Sequence, residues 1–177
     1  MKRYLNKPLR MKKLFTLGFL SIFIFSVSIE IIAKYILGLG NPPLLIQHKS
    51  IEYEFAPNQD IKRFHRHIKI NSMGMRSEEL SQNPNKKRIL VYGDSVIWGG
   101  SITDQQDLST EILRKLLIKN NHNYEIGNIS AGSWGPGNWL AHVTERGIYG
   151  ADVVILVISS HDWIDNPTYQ SIKNNIS

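Results

Sequence analysis

A serine behind a short apolar run and a Gly-Asp pair is the first place in this chain where covalent chemistry could start. Arg88 to Gly100 reads RILVYGDSVIWGG. Ile89, Leu90, Val91 and Tyr92 suit a buried strand. Gly93 permits a tight turn where a side chain would clash. Ser95 then stands just past the carboxyl end of that strand, where open α/β sheets hold their ligands. Its hydroxyl is a nucleophile if a base reaches it. The same tripeptide also reads as an ordinary turn, with Asp94 and Ser95 as turn formers.

Two further segments carry polar groups to a comparable position. Tyr124 to Ile129 is a second strand candidate, followed by the loop SAGSWGPG from Ser130 to Gly137. Ala151 to Ser159, ADVVILVIS, is a third, and Ser160-His161-Asp162-Trp163 leaves its carboxyl end. So continuous an apolar run is expected where both faces of a parallel sheet are covered. Between the strands lie two helical patterns. Thr103 to Asn120 has a capping box in Thr103 and Gln106 and an apolar face of Leu108, Ile112, Leu113, Leu116 and Leu117. Trp139 to Tyr149 is capped by Asn138 and turns Trp139, Leu140, Val143 and Ile148 inward. His142 on that helix and His122 in the preceding helix stop are expected to face solvent.

Strand, helix, strand, helix, strand predicts a parallel sheet covered on both sides, a three-layer α/β/α fold with all three carboxyl ends on one rim. Trp98, Trp134 and Trp163 fall near that rim. They read equally as sugar-facing aromatics and as apolar anchors for the loops.

From about Asn71 onward the chain resembles the SGNH/GDSL hydrolases, in particular their membrane-anchored, exported bacterial branch. Gly93-Asp94-Ser95 matches the first family block and Asn128 opens the second. Ser159-Ser160-His161-Asp162 stands where the third reads Gly-x-Asn-Asp. Asn71-Ser72-x-Gly74-x-Arg76 is similar to the lead-in of exported members. The resemblance implies a flavodoxin-like sheet and Ser95 as nucleophile, with Asp94 and Asp162 in supporting roles. It implies an oxyanion hole from the Ser95 amide, a backbone amide of the second loop and His161 in place of the asparagine. Gly132 matches the second-loop glycine by type, and Ser133 fits its spacing from Asn128. The implied activity is ester hydrolysis or O-acetyl transfer on an extracytoplasmic glycan or a small ester, without metal or cofactor. The family's late Asp-x-x-His, which supplies the base and its orienting acid, does not follow Asp162. A doubly wound sheet also carries two more strands than these three. The chain therefore reads as a C-terminally truncated family domain, and the alternative is a catalytically inactive membrane-anchored module.

The amino-terminal part positions this domain. Lys2, Arg3, Lys7, Arg10, Lys12 and Lys13 precede residue 14 without an acid among them. The remaining 15 basic residues balance the 15 acidic ones, so the net charge of +6 is confined to the tail and no nucleic-acid surface is expected. Leu14 to Ile29 has no charge, and Leu14 to Ala33 reaches the roughly 20 residues of a membrane span, with Lys34 and Tyr35 suited to the interface. A cleaved signal peptide is the competing reading, with Ser26 and Ser28 as its small residues. The basic tail predicts a cytoplasmic amino terminus at the inner membrane, with the rest outside. The expected organisation is a basic tail at 1–13, an anchor at 14–37, a lead-in at 38–87 and the sheet domain at 88–177. In the lead-in, Ile51 to Phe55 alternates as a short strand. His65 and His67 read as solvated residues on one strand face. Gly74 is expected at a special backbone angle. The chain has no cysteine, hence neither disulfide nor thiolate site.

Overall fold

The computed structural model describes residues 7–81, 86–162 and 164. Helix α1, Lys7–Ile31, continues through one π-type turn, Ile32–Ile36. Within it Met11–Ile36 is 26 residues long, apolar and unburied by protein, long enough to cross a membrane. At 1.5 Å per residue it measures about 39 Å, against about 30 Å for a bilayer core. Three of its hydroxyls are satisfied within the helix. Thr16, Ser21 and Ser28 each donate to the carbonyl four residues back, at 2.8, 2.9 and 2.8 Å. The helix stops where the sequence predicts, with Gly38 in the left-handed region at φ 65°.

Two antiparallel hairpins follow. Strand β1, Leu45–His48, pairs with β2, Glu52–Phe55. Strand β3, Gln59–Arg63, pairs with β4, Arg66–Ile70. Phe64 and His65 form the two-residue turn, both with positive φ (51° and 58°), as a type I′ hairpin requires. His65 and His67 therefore do not share a strand face. One is in the turn, and the other lies on β4 with Nε2 2.6 Å from Asp60 Oδ1. Gly74 has φ 78°, and a Cβ there would lie 2.8 Å from the Phe55 carbonyl oxygen.

The central sheet is β5 (Lys87–Gly93) flanked by β6 (Tyr124–Ser130) and β7 (Val153–Leu156), both parallel to it, in the order β6-β5-β7. Between them lie α2 (Ser95–Trp98), α3 (Ser109–Lys119) and α4 (Pro136–Arg146). The chain steps from β5 to one side, then crosses back to the other. Crossovers of one hand then put α3 and α4 on opposite faces. Leu113 and Leu117 of α3 pack with Ile89, Val91 and Ile126. Trp139 of α4 packs with Leu90, Tyr92 and Ile129. The expected three layers are present.

The hairpins do not form a separate unit. Ile51, Phe55, Ile61, Ile68, Ile70, Met75 and Leu80 share one core with Leu90, Tyr92, Trp98, Ile129 and Trp139. The compositional boundary near residue 87 is not a packing boundary.

Several details depart from the sequence reading. Helix α3 begins at Ser109 because Asp104, not Thr103, caps a short 3-10 turn at Gln105–Asp107, accepting from the Gln106 amide. Ile112 and Leu116 are exposed, while Thr110 and Glu111 are buried. Asn138 is the third residue of α4 rather than its cap, and its Oδ1 accepts from the Gly135 amide at 3.0 Å. Leu140 is 70% exposed, whereas Trp139 and His142 point inward. Ile148 is likewise exposed. Ile155 of β7 and Val157 just beyond it pack inward. Val154, Leu156 and Ile158 are exposed, although Val154 and Leu156 flank Leu90 and Tyr92 on the face that α4 covers. This apolar run is therefore not buried on both faces as the sequence predicts.

Candidate functional site

Register decides what meets at the carboxyl edge. Gly93 lies opposite Ser130, and Tyr92 opposite both Ile129 and Leu156. The Val157 amide still bonds the Tyr92 carbonyl at 2.9 Å. All three strands thus end level, and the residues after each leave from one rim. Ser95 is two positions past Gly93, Gly132 two past Ser130, and Ser159 three past Leu156.

Ser95 opens α2 and is exposed. Asp94 caps that helix, its Oδ1 accepting from the Val96 amide at 2.8 Å. Gly93 is needed because a Cβ there would lie 2.4 Å from Ile97 Cγ1. Gly99 ends the turn in the left-handed region at φ 74°. The other carboxylate oxygen of Asp94 faces the third loop, 3.1 Å from Ser159 Oγ. Asp162, fully buried, takes the Ser159 amide at 2.6 Å and approaches the same hydroxyl at 2.8 Å. Ser159 therefore stands between two buried carboxyl groups and ties the third loop to the cap of the serine helix.

The second loop is held from below. Asn128, buried, donates to the Ile97 carbonyl at 3.0 Å and to Thr110 Oγ1 at 3.2 Å, joining β6 to α2 and α3. In the turn beyond it Ser133 is exposed and left-handed, φ 55°. The Gly132 carbonyl accepts from the Tyr53 hydroxyl, and Trp134 Nε1 donates to the Tyr53 carbonyl at 3.1 Å. Strand β2 thus braces this turn. A cleft of about 290 Å³ opens beside it, lined by Pro43, Leu45, Tyr53, Phe55, Trp98, Ser101 and Gly132.

Neither a protein-family model nor a curated protein matches the chain.

The remaining expected residues are distributed unevenly. His161 is exposed, and its Nδ1 lies 3.3 Å from its neighbour Ser160 Oγ, not at Ser95. Among the described residues, no side chain hydrogen-bonds the Ser95 hydroxyl, and no group of three or more His, Asp or Glu could hold a metal ion. Trp134 is buried, and Trp98 is nearly so while lining the cleft. Both anchor loops. Trp163 lies outside the described residues.

Two residues named in the sequence reading have roles that it did not assign. Arg76 is fully buried. Its Nη1 donates to the carbonyls of Trp98 (2.6 Å) and Gly100 (2.7 Å), its Nη2 to that of Thr103 (2.7 Å) and its Nε to Gln105 Oε1 (3.3 Å). It fixes the loop leaving the serine helix. Burial pulls the guanidinium down to about 10, which leaves it charged at neutral pH. Asn71 sets its approach, with Oδ1 accepting from the Met73 and Met75 amides at 2.9 Å each. The second is His142, buried rather than solvated, with Nδ1 3.2 Å from the Tyr92 hydroxyl. Burial pushes Tyr92 up to about 12 and His142 down to about 4. At neutral pH both groups are uncharged and share one hydrogen bond, whose direction follows the imidazole tautomer. His122 is exposed as expected.

Proposed function

We propose that this chain carries the serine-bearing part of an SGNH/GDSL-type ester hydrolase or O-acetyltransferase, anchored by α1 in the inner membrane. The amino terminus lies in the cytoplasm and the sheet domain outside. The substrate class is an acyl ester, chiefly acetyl, on an extracytoplasmic glycan or a small molecule. The observation that carries the reading is the link from Asp94 through Ser159 to Asp162. It joins the first and third rim loops beside the exposed Ser95.

In this reading Ser95 Oγ attacks the acyl carbonyl carbon and its proton passes to a base. The C–O bond to the alcohol then breaks as that alcohol takes up the proton, leaving an acyl ester on Ser95. Water (hydrolysis) or an acceptor hydroxyl (transfer) attacks that ester, returning the proton to Ser95 Oγ. The developing oxyanion is received by the Ser95 amide, an amide of the Gly132–Ser133 turn and the imidazole N–H of His161. Loss of one such donor lowers turnover by about 10²–10³-fold.

A second reading has its own observation. Ser95 has no hydrogen-bonded base among the described residues, and a serine without one is a weak nucleophile. That favours a non-catalytic membrane-anchored module. Turnover of p-nitrophenyl acetate by the full chain in detergent separates the two. The esterase reading requires hydrolysis that Ser95→Ala abolishes. Equal rates for the two proteins leave the module.

A further inference from the structure

The end of the apolar helix is fastened to the β3–β4 turn. The Phe64 amide donates to the Leu37 carbonyl at 2.8 Å. Arg63 Nη1 donates to the carbonyls of Gly38 and Leu39, at 3.2 and 2.9 Å. Gly38 is buried there, and a Cβ on it would lie 2.4 Å from the Lys62 carbonyl oxygen. The hairpin tip and the last turn of the helix thus lie at one level. No flexible linker separates them.

That level is cationic and part aromatic. Lys62, His65 and Arg66 are exposed at the tip, and Lys34 and Tyr35 are exposed on the helix, with Lys34 Nζ 5.4 Å from the Tyr35 ring centre. Arg63 lies over the half-buried Phe64 ring at 4.8 Å. No acid occurs from 61 to 66. The nearest acids are engaged or set back. Asp60 is paired with His67, and Asp104 accepts the His67 and Gln106 amides. Glu30 sits one turn deeper along the helix than Lys34. Three of these cations lie close together at 62, 63 and 66, and folding brings that tip to the helix end just beyond Lys34.

We propose that this collar of Lys34, Lys62, Arg63 and Arg66 is a docking surface for anionic phospholipid headgroups, holding the domain against the bilayer in one orientation. The proposal rests on α1 spanning the membrane and is independent of the esterase reading. Tyr35 and the Arg63–Phe64 pair suit the interfacial layer, where aromatic and basic side chains collect. Lysine and arginine next to an anionic leaflet gain from its surface potential, within about one Debye length.

The chain has no cysteine, so single introduced cysteines report without background. The full chain with His65→Cys, carrying an environment-sensitive dye, is placed in nanodiscs containing headgroup-nitroxide lipid. One set is pure phosphatidylcholine and the other is mixed with an equal part of phosphatidylglycerol. A Phe23→Cys label, with acyl-chain nitroxide, reports the span. The expected result is a quenched Phe23→Cys label and a His65→Cys label quenched about twofold more in the anionic discs. Adding Lys62→Glu and Arg66→Glu removes that difference. Quenching at 65 that is absent, or equal in both lipids, while position 23 is quenched overturns the docking surface and leaves the span intact. Loss of quenching at 23 overturns both.

Discussion

Arg76 lies over Trp98 and also holds its backbone. The guanidinium carbon is 4.5 Å from the ring centre, and Nη1 donates to the Trp98 carbonyl at 2.6 Å. Phe55 stacks on the same indole at 4.2 Å. A residue of the lead-in thereby fixes the loop that leaves Ser95.

Arg76→Leu should strand three carbonyls that have no other charged donor among the described residues. A hydrogen bond from a charged group contributes about 1.5–3 kcal/mol, so a loss of at least about 3 kcal/mol is expected in urea unfolding. Arg76→Lys should recover only part of it, since one ammonium cannot reproduce the planar fork. A Lys variant as stable as the parent would contradict this account of the loop.

His142 makes stability pH-dependent. Its folded value of about 4 lies below the ordinary 6.5. As pH falls through 6.5 the unfolded chain takes up the proton and the folded chain does not. This contribution is complete above 6.5, declines between 6.5 and about 4, and is gone once the folded imidazole protonates. The full loss is roughly 3 kcal/mol. Denaturant midpoints of the parent and His142→Gln, compared from pH 7.5 to 4.5, should diverge at neutral pH and converge in acid. Parallel curves would rule out this imidazole as the source.

Ser159→Ala removes the hydroxyl between Asp94 and Asp162. Two buried carboxyl groups then face one another without it, at a cost of about 1–3 kcal/mol. Hydrogen exchange at the amides of 95–98 should accelerate along with the loss of global stability, because Asp94 is their cap. Unchanged exchange there would mean that the bridge does not position the serine helix.

Two glycines on the rim should behave oppositely. Gly93→Ala drives a methyl into Ile97 and should lose about 1–3 kcal/mol. At Gly132 a Cβ meets nothing within 4 Å, and its φ is not in the left-handed region, so Gly132→Ala should stay within about 0.5 kcal/mol. Thermal melts of the two variants, side by side, decide this.

Strand β5 was legible from its buried apolar run. Strand β6 carries Glu125, Gly127 and Asn128 and was legible chiefly from its place between two helical patterns. Strand β7, in the longest apolar run of the three, is mostly exposed. The long apolar helix was equally plain. Helix faces were harder. In α4 the apolar Leu140 is exposed while His142 is buried, because a neutral imidazole with a phenol partner is an acceptable core residue. Periodicity counts hydrophobicity and cannot see that pairing. Arg76 stood in the lead-in motif, but what it binds was hidden for a similar reason. Its four acceptors come from residues 98 to 105, and only the fold brings them to it. Gly93, Asp94 and Ser95 could be read as a turn capped by its own aspartate. The bond from Ser159 back to Asp94 joins loops 65 residues apart, which no local pattern encodes.

The nucleophile assignment is tested most directly by covalent capture. The full chain in detergent is exposed to a fluorophosphonate and its peptides are mapped by mass. A single adduct on the peptide containing Ser95, absent from Ser95→Ala, is the predicted result. A chain that stays unlabelled, or that labels equally in Ser95→Ala, would contradict a nucleophilic Ser95.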